Sequence, residues 1–267
     1  MALRNVGPVE LSLRNVGPER GGLSGRRGRR RRRRRGTGTT GGRGKPNGRG
    51  VGRRGTAYCR GVGTAAGDYW NHNVHYQRVI LDAVPERCGA AVDVGCGDGM
   101  LACKLAARCA TVTGIDRDEK MIAAATERAR ADPGVSFVHA DFLAYPLGDS
   151  SFDFACANTA LHHMDFGAAL GKMARILRPG GRLAVVGLAA NGSPADWVIG
   201  AAGIPVNLWY KRTRGEGDPG APVLGPDMTW SQVRAVAARI LPGARYRRRL
   251  LWRYSLTWVK PGAGGLT

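Results

Sequence analysis

The stretch Val92-Asp93-Val94-Gly95-Cys96-Gly97-Asp98-Gly99 holds the densest chemical pattern in the chain. An apolar run stops at three alternate glycines, which remove every Cβ from the turn. The backbone there can take positive φ and pass close to a ligand. A helical pattern begins at once, and the unsatisfied N–H groups of a helix start face the same space. Two later strand-like runs end in acids. Residues 111–115 lead into Asp116, whose carboxylate can accept both hydroxyls of a ribose. Residues 135–139 lead to Asp141-Phe142, where the acid can accept an exocyclic amine, the next N–H can donate to a ring nitrogen and the aromatic can pack on a base. A glycine turn, a ribose acid and an adenine reader thus fall at three successive strand ends, the edge where open α/β sheets bind ligands. The same glycines admit a rival. Gly97-x-Gly99-x-x-Ala102, with Asp116 and Asp118 about 20 residues on, also fits the permissive dinucleotide fingerprint, so an NAD(P)-dependent oxidoreductase stands as an alternative.

Four histidines are candidate general bases, because an unperturbed imidazole titrates near neutrality. His162 and His163 follow the fourth strand-like run, and His72 and His75 lie on or before the first helix. Hydrogen-bonded wall residues are the competing reading for all four. A base is useful only for a hydroxyl or protonated-amine acceptor. The cysteines (Cys59, Cys88, Cys96, Cys103, Cys109, Cys156) lie singly, with no C-x-x-C pair. That spacing supports neither a metal site nor a disulfide framework and suits reduced core thiols of a cytoplasmic protein.

The elements that must position these residues alternate. Tyr76, Val79, Ile80 and Ala83 mark an amphipathic helix ending near Pro85. Buried strands are predicted at 90–94, 111–115, 135–139, 152–157 and 182–188, with helices at 99–109, 119–131 and 166–177, the last ended by residues 179–181. This is the pattern of a doubly wound α/β sheet. Thr229-x-x-Gln232 is a capping box opening a further helix. Runs at 244–250 and 254–260 are joined so closely that they must pair antiparallel. Residues 189–228 form a lid-like insertion: a helix from Ser193-Pro194 bearing Trp197, Val198 and Leu208-Trp209-Tyr210, then loop at 215–226. Its apolar and aromatic content favours a small, partly hydrophobic substrate, with core packing as the competing explanation.

Charge divides the chain of 267 residues into a tail and a body. Residues 1–56 hold 17 basic and 2 acidic side chains, with nine arginines in residues 26–35. So little apolar surface cannot repay the entropy of ordering, and disorder is expected there. The tail reads as a solvated extension, including upstream sequence read in frame from a misplaced start, or as an arm for nonspecific nucleic-acid binding. Residues 57–267 form the folded domain. No apolar run approaches the ~20 residues of a membrane span, no secretory signal pattern opens the chain, and no membrane partner is expected.

VDVGCGDG, GIDRD, HADF, FDFACANTALHHM and LRPGGRLAVVGL, in this order and spacing, resemble the class I S-adenosylmethionine-dependent methyltransferases over residues 69–261. The resemblance implies a Rossmann-like, mostly parallel seven-stranded sheet with a terminal antiparallel hairpin. It further implies S-adenosyl-L-methionine as cofactor, with Asp93, Gly95, Gly97 and Gly99 along its methionine part, Asp116 on the ribose and Asp141 with Phe142 on adenine. Asn158 matches a position bordering the methionine and reactive methyl. Asn158-Thr159-Ala160-Leu161 stands where nucleic-acid and amide methylating relatives carry an Asn-Pro-Pro-Tyr-like tetrad. Methyl transfer to a small-molecule acceptor is therefore the leading expectation. A nucleic-acid-binding protein, or an RNA or DNA methyltransferase using the tail, is the alternative.

Overall fold

The structure, a computed structural model, describes residues 69–214, 217, 220 and 225–262. The expected tail, Cys59 and much of the expected loop at 215–226 lie outside them.

The elements follow the order α1 (His72–Ala83), β1 (Cys88–Val94), α2 (Met100–Ala106), β2 (Cys109–Asp116), α3 (Glu119–Arg128), β3 (Val135–His139) and β4 (Phe152–Asn158). A single 3-10 turn (Leu161–His163) leads to α4 (Phe166–Ile176), β5 (Leu177–Leu188), α5 (Pro194–Arg214), α6 (Trp230–Ile240), β6 (Arg245–Arg249) and β7 (Arg253–Val259). The strands form one sheet in the order β3-β2-β1-β4-β5-β7-β6. The first five are parallel, and β7 runs antiparallel to both β5 and β6. The α/β class, the seven strands and the terminal antiparallel pair all agree with the sequence reading.

Each sheet face is covered because the strands are apolar on both sides, as buried parallel strands must be. Val92, Val94, Ile115, Leu183 and Val185 face a core shared with Leu170 and Met173 of α4 and Trp230 and Val233 of α6. Ala91, Val112, Phe154, Cys156 and Val186 face the other core, with Ile80 of α1 and Leu101 and Leu105 of α2. Register aligns the carboxyl ends: Val94 lies opposite Ile115 and Ala157, and Asp116 opposite His139.

One local reading changes, and the helix expected from Ser193-Pro194 is present. Residues 179–181 do not simply end a helix; β5 starts at Leu177, directly after α4, and contains them. The pairing with β4 slips between Phe152–Leu177 and Phe154–Arg182, a bulge that accommodates Pro179 and the positive φ of Gly180. Residues 194–214 form one continuous helix through Pro205, whose missing N–H would otherwise bond the Ala201 carbonyl; both residues are exposed, so water can serve that carbonyl. Among the described residues all five cysteines are buried and outside any disulfide, and no cluster of ligating side chains suited to a metal occurs. No helix among the described residues is long and apolar enough to cross a membrane.

Candidate active site

The three glycines of the turn after β1 all have positive φ (68°, 52° and 76° for Gly95, Gly97 and Gly99), yet they do different work. A Cβ on Gly95 would lie 2.2 Å from the Ala160 Cβ, so this glycine lets the segment after β4 close onto the turn. A Cβ on Gly99 would strike Phe137 of β3 and Ala125 of α3 at 2.7 and 2.9 Å. Only Gly97 opens onto free space, with nothing within 4 Å of its Cβ position. All three were expected to face a ligand; a Cβ would have open space at Gly97 and would meet packed neighbours at Gly95 and Gly99.

Acidic side chains hold this turn. Asp116 accepts from the Gly97 amide through Oδ2 at 2.8 Å and from the Asp118 amide through Oδ1 at 3.0 Å. Asp98 receives Arg128 at 2.6 Å, an ion pair tying the turn to α3. Asp93 is 1% exposed; its Oδ1 accepts weakly from the Cys156 thiol and its Oδ2 has no hydrogen-bond partner. Burial, reinforced by the nearby Asp116 and Asp98 carboxylates, pushes the Asp93 carboxyl up to about 7, with the Cys156 thiol opposing the shift.

Beyond β3, Asp141 accepts from the Leu143 amide at 2.7 Å, shaping the loop. The Phe142 ring is 3% exposed and sits in the core with the Lys172 ammonium 5.0 Å from its centroid. That position commits the ring, which was expected to pack on a base, to the core.

The four histidines separate into two pairs. His162 and His163 stack with centroids 4.0 Å apart in the 3-10 turn, on the side of Asp116 and Arg117. Burial and then Arg117 push the His163 imidazole below its ordinary range, against the pull of Asp116, and its Nδ1 has no hydrogen-bond partner. His72 and His75 instead belong to an aromatic cluster. Trp70 stacks on Tyr210 at 5.1 Å, His75 meets Tyr210 at 5.0 Å, and His72 lies 6.0 Å from Trp252 and bonds Asn207 of α5 at 2.7 Å. Burial is the main cause that lowers the pKa of His75, followed by Arg214 and His72.

Asn158 joins this cluster to the turn region. Its Nδ2 donates to the Asn73 carbonyl at 3.2 Å, while the Asn73 side chain accepts from Arg253 at 2.7 Å. The Asn158 Oδ1 is buried and has no hydrogen-bond partner. Asn73, Trp70, Trp252 and Arg253 were not singled out from sequence. Their contacts span up to 180 positions, and no local spacing signals them. The insertion also departs from expectation: Val206 and Tyr210 turn inward, but Trp197, Val198, Leu208 and Trp209 face solvent instead of a pocket or core.

The residues present fit an adenosyl cofactor with an amino-acid end: free space over Gly97, a strand-end carboxylate at Asp116 and an orphaned carboxylate oxygen on Asp93. Comparison with known proteins agrees. Residues 92–185 match the family described as methyltransferase domain. An uncharacterized methyltransferase of Mycobacterium bovis is 36% identical over 200 residues, spanning 72% of this chain and 98% of that protein. The 27-O-demethylrifamycin SV methyltransferase of Amycolatopsis mediterranei is 42% identical over 122 residues, 43% of this chain and 45% of its own length. An S-adenosylmethionine-dependent methyltransferase structure from Methanosarcina mazei superposes with a TM-score of 0.50 at 19% identity, covering 69% of this chain and 97% of that one, a likeness of fold. The chain therefore belongs to the class I S-adenosylmethionine-dependent methyltransferases, and S-adenosylmethionine is its cofactor.

Proposed function

We propose that the methyl acceptor is a small, partly apolar molecule bearing a hydroxyl, bound at the carboxyl edge between the glycine turn and the aromatic cluster of Trp70, His72, His75, Tyr210 and Trp252. That cluster is the observation that carries the reading. It gathers rings from α1, the segment before it, α5 and the β6–β7 turn beside Asn158, a wall suited to an acceptor of modest size. The likeness to a methyltransferase named for 27-O-demethylrifamycin SV supports a small-molecule acceptor.

When bound, S-adenosylmethionine supplies a methyl group already activated on a positively charged sulfur. The protein's share is alignment and exclusion of water, effects that supply several kcal/mol. In this reading Gly97 admits the cofactor, Asp116 takes the ribose hydroxyls, and Asp141 with the Phe142 backbone reads adenine. Asp93 and Asn158 border the amino-acid end, with Gly95 and Gly99 holding the turn in shape. His163, held neutral with an unpartnered Nδ1, removes the hydroxyl proton; His162 packs on it, and His72 and His75 line the acceptor wall.

The test is incubation of the full chain with cofactor labelled in its methyl group, together with a metabolite extract and, separately, RNA and DNA. Label entering the small-molecule fraction supports the proposal. Label entering nucleic acid alone overturns it in favour of the arginine-rich segment as a substrate guide.

A further inference from the structure

Helix α5 carries an apolar face that nothing among the described residues covers. Trp197, Ile204 and Leu208 recur at i, i+7 and i+11, and Val198, Pro205 and Trp209 form a second stripe one position on. Trp197 is 68% exposed, Val198 73%, Leu208 61% and Trp209 58%, values far above those of a packed helix face. The opposite side is firmly seated. The Trp252 ring lies beside Gly200 and Gly203, 3.3–3.7 Å from where a Cβ on either would stand, Asn207 bonds His72, and Arg248 pairs with Asp196, the helix's lone acid. The hairpin tip that braces it is strained: Leu251 and Trp252 both hold positive φ, at 55° and 56°. The helix is thus fixed in place with its apolar side outward.

Charge is segregated onto the same part of the chain. Residues 69–192 hold 12 basic and 13 acidic side chains, whereas residues 193–262 hold 11 basic and 4 acidic. Lys211, Arg212 and Arg214 end α5, and β6 carries four arginines.

We infer that this face docks the protein on the surface of an anionic lipid bilayer, with α5 lying flat in the interface. A wide apolar face bearing two tryptophans, bounded by cations, is the composition of an interfacial helix. Trp197 and Trp209 stand roughly 18 Å apart along the axis, so both reach one plane. A second copy of the chain would bring two cationic thirds together, so self-association is disfavoured. Docking is superficial, since α5 is not apolar enough to cross. The sequence reading expected no membrane partner because no apolar run is long enough to span a bilayer, a criterion that a helix lying in the interface does not have to meet. The inference stands whichever acceptor is methylated.

The experiment uses the full chain with vesicles of phosphatidylcholine alone or mixed with phosphatidylglycerol, some carrying brominated acyl chains. The arginine-rich segment 1–56 can hold any chain near anionic lipid, so the readout is quenching of tryptophan emission by the bromines, which requires insertion. Quenching on the anionic vesicles alone is expected. Val198→Glu/Leu208→Glu, which keeps every tryptophan and touches no buried residue, should cut that quenching at least fivefold while S-adenosylhomocysteine affinity stays unchanged. No quenching in the wild type, equal quenching on neutral vesicles, or quenching indifferent to the substitution overturns the inference. So does a sedimentation measurement in which the wild type is a stable dimer and the variant a monomer, which assigns the face to a second copy.

Discussion

The amide of Gly97 donates to the Asp116 carboxylate at 2.8 Å, tying the turn after β1 to the end of β2. One side chain therefore shapes the glycine turn, and in the proposed reading its remaining lone pairs take the ribose hydroxyls. Asp116→Ala removes both functions and should weaken S-adenosylhomocysteine binding by about 1.5–3 kcal/mol, the range for hydrogen bonds to a charged group. Asp116→Asn, which keeps one acceptor for the Gly97 amide, should lose less. Calorimetric titration checks both, and equal losses would mean that only the charge matters.

The three glycines should separate by phenotype. Gly97→Ala meets no steric obstacle and carries only the left-handed backbone penalty of about 1–2 kcal/mol, so it should fold while binding the cofactor poorly. Gly95→Ala drives a methyl group to 2.2 Å from Ala160 and should lower the melting temperature further than Gly97→Ala does. Thermal unfolding and cofactor titration on the same samples distinguish the two effects.

Asp93 predicts a pH dependence of the cofactor-free protein. Its carboxyl stands at about 7 when folded and near 3.9 when unfolded. Between those values the native state holds a proton that the unfolded chain has released, so stability falls as pH rises through that window. Asp93→Asn should flatten this decline, gaining on the wild type near pH 8 and showing no gain near pH 4. Urea denaturation at the two pH values measures it, and parallel curves would exclude Asp93 as the source.

His163 predicts a kinetic limb. Burial and Arg117 keep the imidazole neutral to lower pH than usual, so turnover should stay level through neutrality and fall only below about 6.5. His163→Gln should reduce kcat by ~10²-fold or more and abolish that limb, with cofactor affinity unchanged. Near-normal turnover in the variant would mean that alignment alone suffices.

The fold and the cofactor edge were legible because their signals are local. Apolar runs ending at Gly95, Asp116 and Asp141 register as strands that stop where the sheet stops, and Thr229 with Gln232 forms the capping box that their spacing predicts. The aromatic cluster proposed as the acceptor wall was not legible. Asn73 meets Arg253 across the whole domain, and Trp252 reaches α5 through a hairpin tip whose strain no residue type announces. The orientation of α5 also escaped notice, since an apolar helix reads alike whether its face turns inward or outward. The burial of the Phe142 ring was hidden for a related reason: its position in the motif was visible, but the core around it was not.

The most direct test of the account is calorimetric titration of the full chain with S-adenosylhomocysteine, alongside Gly97→Val, with NAD and NADP as controls. One site of micromolar affinity for S-adenosylhomocysteine, absent in a folded Gly97→Val and absent for both nicotinamide cofactors, is the predicted result. Undiminished binding by Gly97→Val would place the cofactor away from the turn after β1 and contradict the site described.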